Sequence, residues 1–192
     1  HSILDALGFH HFDTVVPFDG NPNDLIMRHL AVARATDADF IVRVPGDNPL
    51  AWGPDIDTII SMGIFMSSVN PMPHLVSNIN ERDTGGEVYS THTLHWMNGF
   101  VKDVLQREHP HTVFNKQANM MGQHTDANAD EPMDQRKIPY RLDVDTEEDY
   151  DFIKLIFEHF GHNRFSPEEA IFFANSIKGI DHAGVAQPIA TA

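Results

Sequence analysis

The run Phe40-Ile41-Val42-Arg43-Val44, stopped at Pro45-Gly46, constrains the fold more than any other stretch of the chain. Its β-branched and aromatic residues, closed by a turn pair, predict a short strand that opens into a loop. Helical patterns flank it. Residues 22–35 carry Leu25, Ile26, His29, Leu30 and Ala33 on one face, opened by Asn21 before Pro22 at the first helical position and ended by Thr36 and Asp37. Residues 54–63 set Ile56, Ile59 and Ile60 at helical spacing. Helix, strand and helix in that order predict an α/β domain with a parallel sheet and crossover helices.

Further on, Leu75-Val76-Ser77 and Glu87-Val88-Tyr89-Ser90 read as strands, and residues 91–106 as a helix with Leu94, Met97, Val101, Val104 and Leu105 inward. Residues 117–136 hold many Asn, Asp and Gly and little apolar period, which predicts a loop over the site. Tyr140-Arg141-Leu142-Asp143-Val144-Asp145 alternates like a strand. A helix over residues 147–160 follows, with Thr146 as N-cap, Glu147, Glu148 and Asp149 at the positive end of its dipole, and Gly161 at its close. A last helix is expected over residues 167–177. Residues 1–181 read as one domain and 182–192 as a flexible tail. The chain begins at His1, and residues 2–8 read as the inside of a helix.

Composition narrows the function classes. With 192 residues and 41% apolar content, the chain suits a single domain with a real core, and it is too apolar for a disordered one. It has no cysteine, which excludes a disulfide-stapled scaffold and a thiolate zinc site. Its 28 acidic and 13 basic residues leave a charge of -15, which repels polyphosphate backbones and argues against nucleic acid or an anionic membrane as partner. No apolar run approaches the about 18 residues of a membrane span, and no signal sequence opens the chain, so a cytoplasmic location is expected. A small phosphorylated ligand would need a metal ion between it and so acidic a protein.

Two carboxylate clusters offer that metal a place. Asp47, in Val44-Pro45-Gly46-Asp47-Asn48-Pro49, stands at the carboxyl end of a strand, where open α/β sheets bind ligands, although it could equally bond its own turn. Asp143 and Asp145 stand two residues apart on the second candidate strand, hence on the same side, and can share a hard cation such as magnesium; capping of the next helix is the blander use of Asp145. Arg107-Glu108-His109, just past a helix and before a proline, can read a polar substrate or simply close the helix. Among the 13 histidines, His92 and His95 are spaced for one metal, but no third ligand accompanies them, so they read as surface residues. No Gly-rich phosphate loop, nucleophile elbow or catalytic cysteine is present.

Taken in order, five stretches resemble the sugar cytidylyltransferases of the spore coat polysaccharide biosynthesis type, related to the acylneuraminate and ketodeoxyoctonate cytidylyltransferases. They are Gly20-Asn21-Pro22-Asn23-Asp24-Leu25, residues 39–50, Leu75-Val76-Ser77-Asn78 leading to Gly86-Glu87-Val88-Tyr89-Ser90, then Arg107-Glu108-His109, and residues 141–156. The resemblance implies a Rossmann-like nucleotide-diphospho-sugar transferase fold with a mostly parallel sheet. It also implies a magnesium-dependent reaction that joins CTP to an acidic sugar, a nonulosonic or octulosonic acid, and releases pyrophosphate. On that basis Asp47, Asp143 and Asp145 hold the metal, with Asp47 and Asp145 catalytic. Asn48, Asn78, Glu87, Arg107, Glu108 and His109 bind substrate, and a homodimer forms through residues 87–105. Nothing in the chain matches the family's opening strand and its Gly-Ser-Arg-Leu-Pro-Gly-Lys type loop, so the chain is expected to be either N-terminally truncated, entering the family pattern about fifty residues late, or a degenerate relative, with weak or no CTP turnover expected of it by itself. The alternatives are a metal-dependent glycosyltransferase of the GT-A type using Asp143 and Asp145, and a non-catalytic sugar-binding or dimerisation module.

Overall fold

The computed structural model describes residues 16–70, 72–77, 85–117, 123–126, 138 and 140–179. Its first helix, α1 (Leu25–Thr36), is opened by Asp24, whose Oδ1 accepts from the Met27 amide at 3.0 Å, and closed by Asp37 in the left-handed region. Asn21 and Pro22 lie outside the helix in a turn, where the Asp24 amide donates to the Asn21 carbonyl. Two good capping residues compete here, and the later one has the helical run behind it.

Strand β1 (Phe40–Arg43) follows, then α2 (Gly53–Val69), β2 (His74–Ser77), β3 (Glu87–Ser90) and α3 (Thr91–Phe100). The helix α2 continues six residues beyond the expected end. Gly63, the last residue of the expected helix, lies mid-helix against the sheet, where an added Cβ would come within 2.7 Å of Val88 Cγ1. The expected helix over residues 91–106 is divided. It ends at Val101, and Asp103 caps a new short helix, α4 (Val104–Glu108), by accepting from the Gln106 amide at 2.9 Å. A further helix, α5 (His111–Gln117), comes next.

The sheet order is β1-β3-β2-β4, with β4 at Gln123–Asp126. Both β1–β3 and β2–β3 are antiparallel, and β2–β4 is parallel. The sheet is therefore mixed, not mostly parallel as expected. Only nine residues separate β2 from β3, fewer than the dozen or so of a parallel crossover, so these neighbours pair antiparallel. Strand β4 falls inside the stretch expected to be a loop; the rest of that stretch, except residue 117 in α5, lies outside the described residues, as do residues 1–15 and the expected tail.

Alternation along the strands builds two layers on the sheet. Ile41, Leu75 and Tyr89 face α1 and α3, packing with Ile26, Leu30, Leu94 and Met97. Val76 and Val88 face the other way, onto Ile59 of α2. A separate apolar cluster joins α6 (Glu147–Phe160) to α7 (Pro167–Lys178), drawing in Leu50 and Leu142. Residues 140–145, expected as a strand, form none. Their alternation is satisfied by helices instead: Leu142 is fully buried in this cluster, and Tyr140 packs edge-on to Phe152 and donates to Asn175 Oδ1 at 2.8 Å.

The caps of α6 are as expected. Thr146 Oγ1 accepts from the Asp149 amide, Asp149 answers by accepting from the Thr146 amide, and Gly161 closes the helix at φ 66°. Thr146→Ala is expected to cost about 1 kcal/mol in urea denaturation, and Thr146→Ser to recover most of it; an unchanged midpoint for the alanine variant would show that the box contributes nothing.

Candidate functional site

Strand β1 ends at Arg43 and delivers the chain into the loop that carries Asp47 and Asn48. Asp47 is exposed, whereas Asn48 is buried and fixes the turn through its backbone: its amide donates to the Pro45 carbonyl and its carbonyl accepts from the Ala51 amide. The second carboxylate segment reaches this loop. The Val144 amide donates to the Asp47 carbonyl at 2.8 Å, which sets the Asp143–Asp145 turn against the Asp47 turn even though residues 140–145 are no strand.

Asp143 and Asp145 already share a cation. Arg141 Nε donates to Asp143 Oδ1 at 2.7 Å, and its Nη2 bonds both Asp143 Oδ2 and Asp145 Oδ2. These contacts hold the Asp143 carboxyl below its usual range. Asp143 is largely covered while Asp145 is half exposed. Among the described residues, no three His, Asp or Glu side chains form a ready metal cage, so Asp47, Asp143 and Asp145 are brought into neighbouring loops without closing one. The donor chemistry nonetheless fits a hard divalent ion: all three are carboxylates, and a guanidinium already stands in for the positive charge at two of them. Magnesium commonly takes one or two protein carboxylates and leaves the remaining positions to water and phosphate oxygens, which agrees with an incomplete protein shell.

Glu87, expected at the substrate, is 1% exposed and sits behind the site. The antiparallel register places it opposite Arg43. Arg43 Nη1 donates to Glu87 Oε2 at 3.0 Å, and the Tyr89 hydroxyl donates to the same oxygen at 2.8 Å. His111 Nδ1 comes within 3.0 Å of Oε1, a close contact off the hydrogen-bond axis. Burial pushes the Glu87 carboxyl up, but His111, Arg43 and Tyr89 together hold it below its ordinary value. Burial and the adjacent carboxylate push the Tyr89 phenol well up.

Arg107 is likewise part of the scaffold. Its Nε donates to Asp24 Oδ2 at 2.8 Å, Nη1 to the Val101 carbonyl and Nη2 to Asn98 Oδ1, tying α4 to the cap of α1 and the end of α3. It therefore bridges helices where a substrate contact was expected. Glu108 is half-buried at the end of α4, and His109 is exposed with its ring 6.0 Å from that of His111. Asn78 lies outside the described residues. His92 and His95 are both exposed on α3, in keeping with surface histidines.

Beside Asp47 opens a pocket of about 600 Å³ between α1 and the β1 loop. Arg28, His29 and Arg43 bring its nitrogen groups, and Phe18, Leu25 and Val32 its apolar sides. The sequence pattern gave no sign of these three as a group, because His29 falls on the apolar face of α1 and Arg43 inside a strand. Arg141 was detectable in principle, standing two residues before Asp143 and four before Asp145.

No family model matches the chain, and no curated protein matches it. Among solved structures, the chain is similar to a cytidylyltransferase from Leptospira borgpetersenii serovar Hardjo-bovis (strain JB197), with a TM-score of 0.70 and 23% identity over 91% of this chain and 70% of that one. The similarity shows a shared fold. Among the described residues, no helix is long and apolar enough to cross a membrane.

Proposed function

We propose that the chain has the chemistry of a cytidylyltransferase, transferring the cytidylyl group of CTP to an acidic sugar of the nonulosonic or octulosonic class. One observation carries the reading: on a fold shared with a cytidylyltransferase, the Val144–Asp47 backbone bond sets the two acidic turns side by side. The sugar half rests on the ordered sequence resemblance. In the reaction a sugar hydroxyl oxygen bonds the α-phosphorus and loses its proton to water, the bond from that phosphorus to the bridging oxygen breaks, and pyrophosphate leaves with the electron pair.

Asp47 and Asp145, with Asp143 beside them, would hold magnesium, which when bound neutralises the triphosphate and stabilises charge at the phosphorus. Arg141 keeps Asp143 ionised and turns the Asp143 and Asp145 carboxylates to one side. Asn48 holds the Asp47 turn in shape, and Glu87 sets Arg43 at the pocket wall. We place the reaction in the cytoplasm, and the active form as a homodimer through the later part of the expected 87–105 surface, where Phe100, Val104 and Leu105 are exposed, because residues 87–89 are buried inside the sheet.

The test is magnesium-dependent release of pyrophosphate from CTP by the 192-residue chain with a nucleotide loop of the family type joined ahead of it, assayed with a panel of nonulosonic and octulosonic acids. Asp47→Ala and Asp145→Ala should each lower turnover by about 10²-fold. Normal turnover in both variants would sink the assignment.

A further inference from the structure

A second cavity, of about 520 Å³, opens at the other end of β1. Phe40, at the start of that strand, lines it, whereas Arg43, at the end, lines the pocket beside Asp47, so about 10 Å of strand separates the two. Ser67 of α2 and His74 of β2 both line this cavity, and Ser67 Oγ lies 3.3 Å from His74 Nε2. The pleat brings them together, because it turns His74, like Val76, toward α2. The other ring nitrogen decides the tautomer. His74 Nδ1 stands 3.0 Å from the Met72 carbonyl oxygen, which can only accept, so the neutral ring carries its hydrogen on Nδ1 and leaves Nε2 to accept from the Ser67 hydroxyl. The turn that presents this carbonyl is itself tied, the Met72 amide donating to Asn70 Oδ1 at 3.0 Å. A hydroxyl, an imidazole that accepts its proton and a third group that orients the imidazole are the parts that activate a nucleophile, and such pairs tighten when substrate binds. Ser68, the next residue, has no such partner: it is exposed, and its Oγ donates to the Phe65 carbonyl at 2.6 Å.

We propose that Ser67 and His74 are the nucleophile and the base of a second active site, which hydrolyses small uncharged esters. Ser67 Oγ bonds the ester carbonyl carbon and gives its proton to His74 Nε2; the bond from that carbon to the alcohol oxygen then breaks, and the alcohol leaves with the electron pair and takes the proton. Water attacks the acylated serine by the same route, releasing the acid and restoring the hydroxyl. The lining sets the substrate class. Phe40 and Met72 offer apolar surface, Asp39 brings a carboxylate, and among the described residues no Lys or Arg stands on the wall, so an anionic ester is disfavoured in a chain of charge -15. The first turn of α3, at Thr91 and His92, brings the positive end of a helix dipole to the same cavity, which favours the oxyanion that forms at the carbonyl. None of these residues takes part in the cytidylyl transfer proposed above.

The probe is an uncharged alkyl fluorophosphonate, which reacts with activated serines: the serine oxygen bonds phosphorus and fluoride leaves. Peptide mass spectrometry of the treated full chain should find the adduct on Ser67 and not on Ser68, and His74→Gln should slow the labelling about 10²-fold. The unaltered protein should also hydrolyse p-nitrophenyl acetate, with Ser67→Ala losing most of that activity and Ser68→Ala keeping it. Should His74→Gln misfold, the absence of cysteine from the chain opens a second route. Each variant then carries a single thiol, and Ser67→Cys should be alkylated by iodoacetamide faster than Ser68→Cys, although position 68 is the more exposed. Labelling that is absent, or equal at the two serines, overturns the inference. So does ester hydrolysis undiminished in Ser67→Ala, or alkylation that is faster at position 68.

Discussion

Glu87→Ala is expected to destabilise the protein by about 3–5 kcal/mol, because removing one partner of a buried ion pair strands the other. The carboxylate is nearly inaccessible and accepts from groups on β1 and β3, with His111 of α5 beside it. Without it, the Arg43 guanidinium, 21% exposed, loses its counter-ion, and the buried Tyr89 hydroxyl loses its acceptor. The cost should fall in a double variant, Arg43→Met with Glu87→Leu, where apolar side chains of similar size replace the pair. Linkage gives the pH dependence. The folded carboxyl sits below its ordinary 4.5, so its contribution is present above that value and is lost as pH falls through it toward the lower folded value. Urea denaturation of both proteins from neutral pH down to acid should show the unaltered protein losing stability in that window and Glu87→Ala losing less. A single variant within 1 kcal/mol of the unaltered protein would show that the cluster does not support the sheet.

The second large effect is expected at Leu142. Its side chain is completely buried among Leu50, Ile153, Ile156, Phe165, Ala170 and Ala174. Leu142→Ala should cost about 2–5 kcal/mol, the span reflecting how far the α6–α7 cluster can close around the lost volume. Leu142 also anchors the turn that carries Asp143 and Asp145, so the variant should loosen the Val144–Asp47 bond beyond what global stability explains. The Val144 amide would then exchange with solvent faster relative to the helix amides of α6. Equal slowing or equal acceleration of both would mean that the turn is not held through Leu142.

The helices were legible where a cap and an amphipathic run coincide. Thr146 with Asp149 opens α6 where the sequence predicts, and Pro167 opens α7 one residue after its cap, Ser166. The short strands β1, β2 and β3 were legible from their β-branched and apolar residues. Strand β4 was not, because Gln-His-Thr-Asp carries no apolar period and its place is fixed by backbone pairing with β2. Tyr140 to Asp145 misled in the opposite sense: an alternating pattern states which residues are covered, and helices cover Leu142 as well as a sheet could. Of the candidate site, Asp47, Asp143 and Asp145 were visible as acidic turns. Arg43 with Glu87 was not, since the pair exists only through an antiparallel register that helix-strand-helix order does not suggest. Arg107 looked free for substrate at a helix end because its partners Asp24, Asn98 and Val101 are distant or unremarkable in sequence.

The two acidic turns meet where the sheet joins the helix pair. The Asp47 turn extends from β1 and reaches, at Leu50, the cluster between α6 and α7 on which the Asp143–Asp145 turn hangs. Their alignment is therefore a property of docking between two packing units and need not persist through every fluctuation that leaves the sheet intact. A sub-global opening in which the α6–α7 pair detaches would separate the carboxylates while the sheet amides remain protected. A ligand that bridges the turns would stabilise the closed arrangement in proportion to its affinity, and its binding strength would include the free energy of that closure.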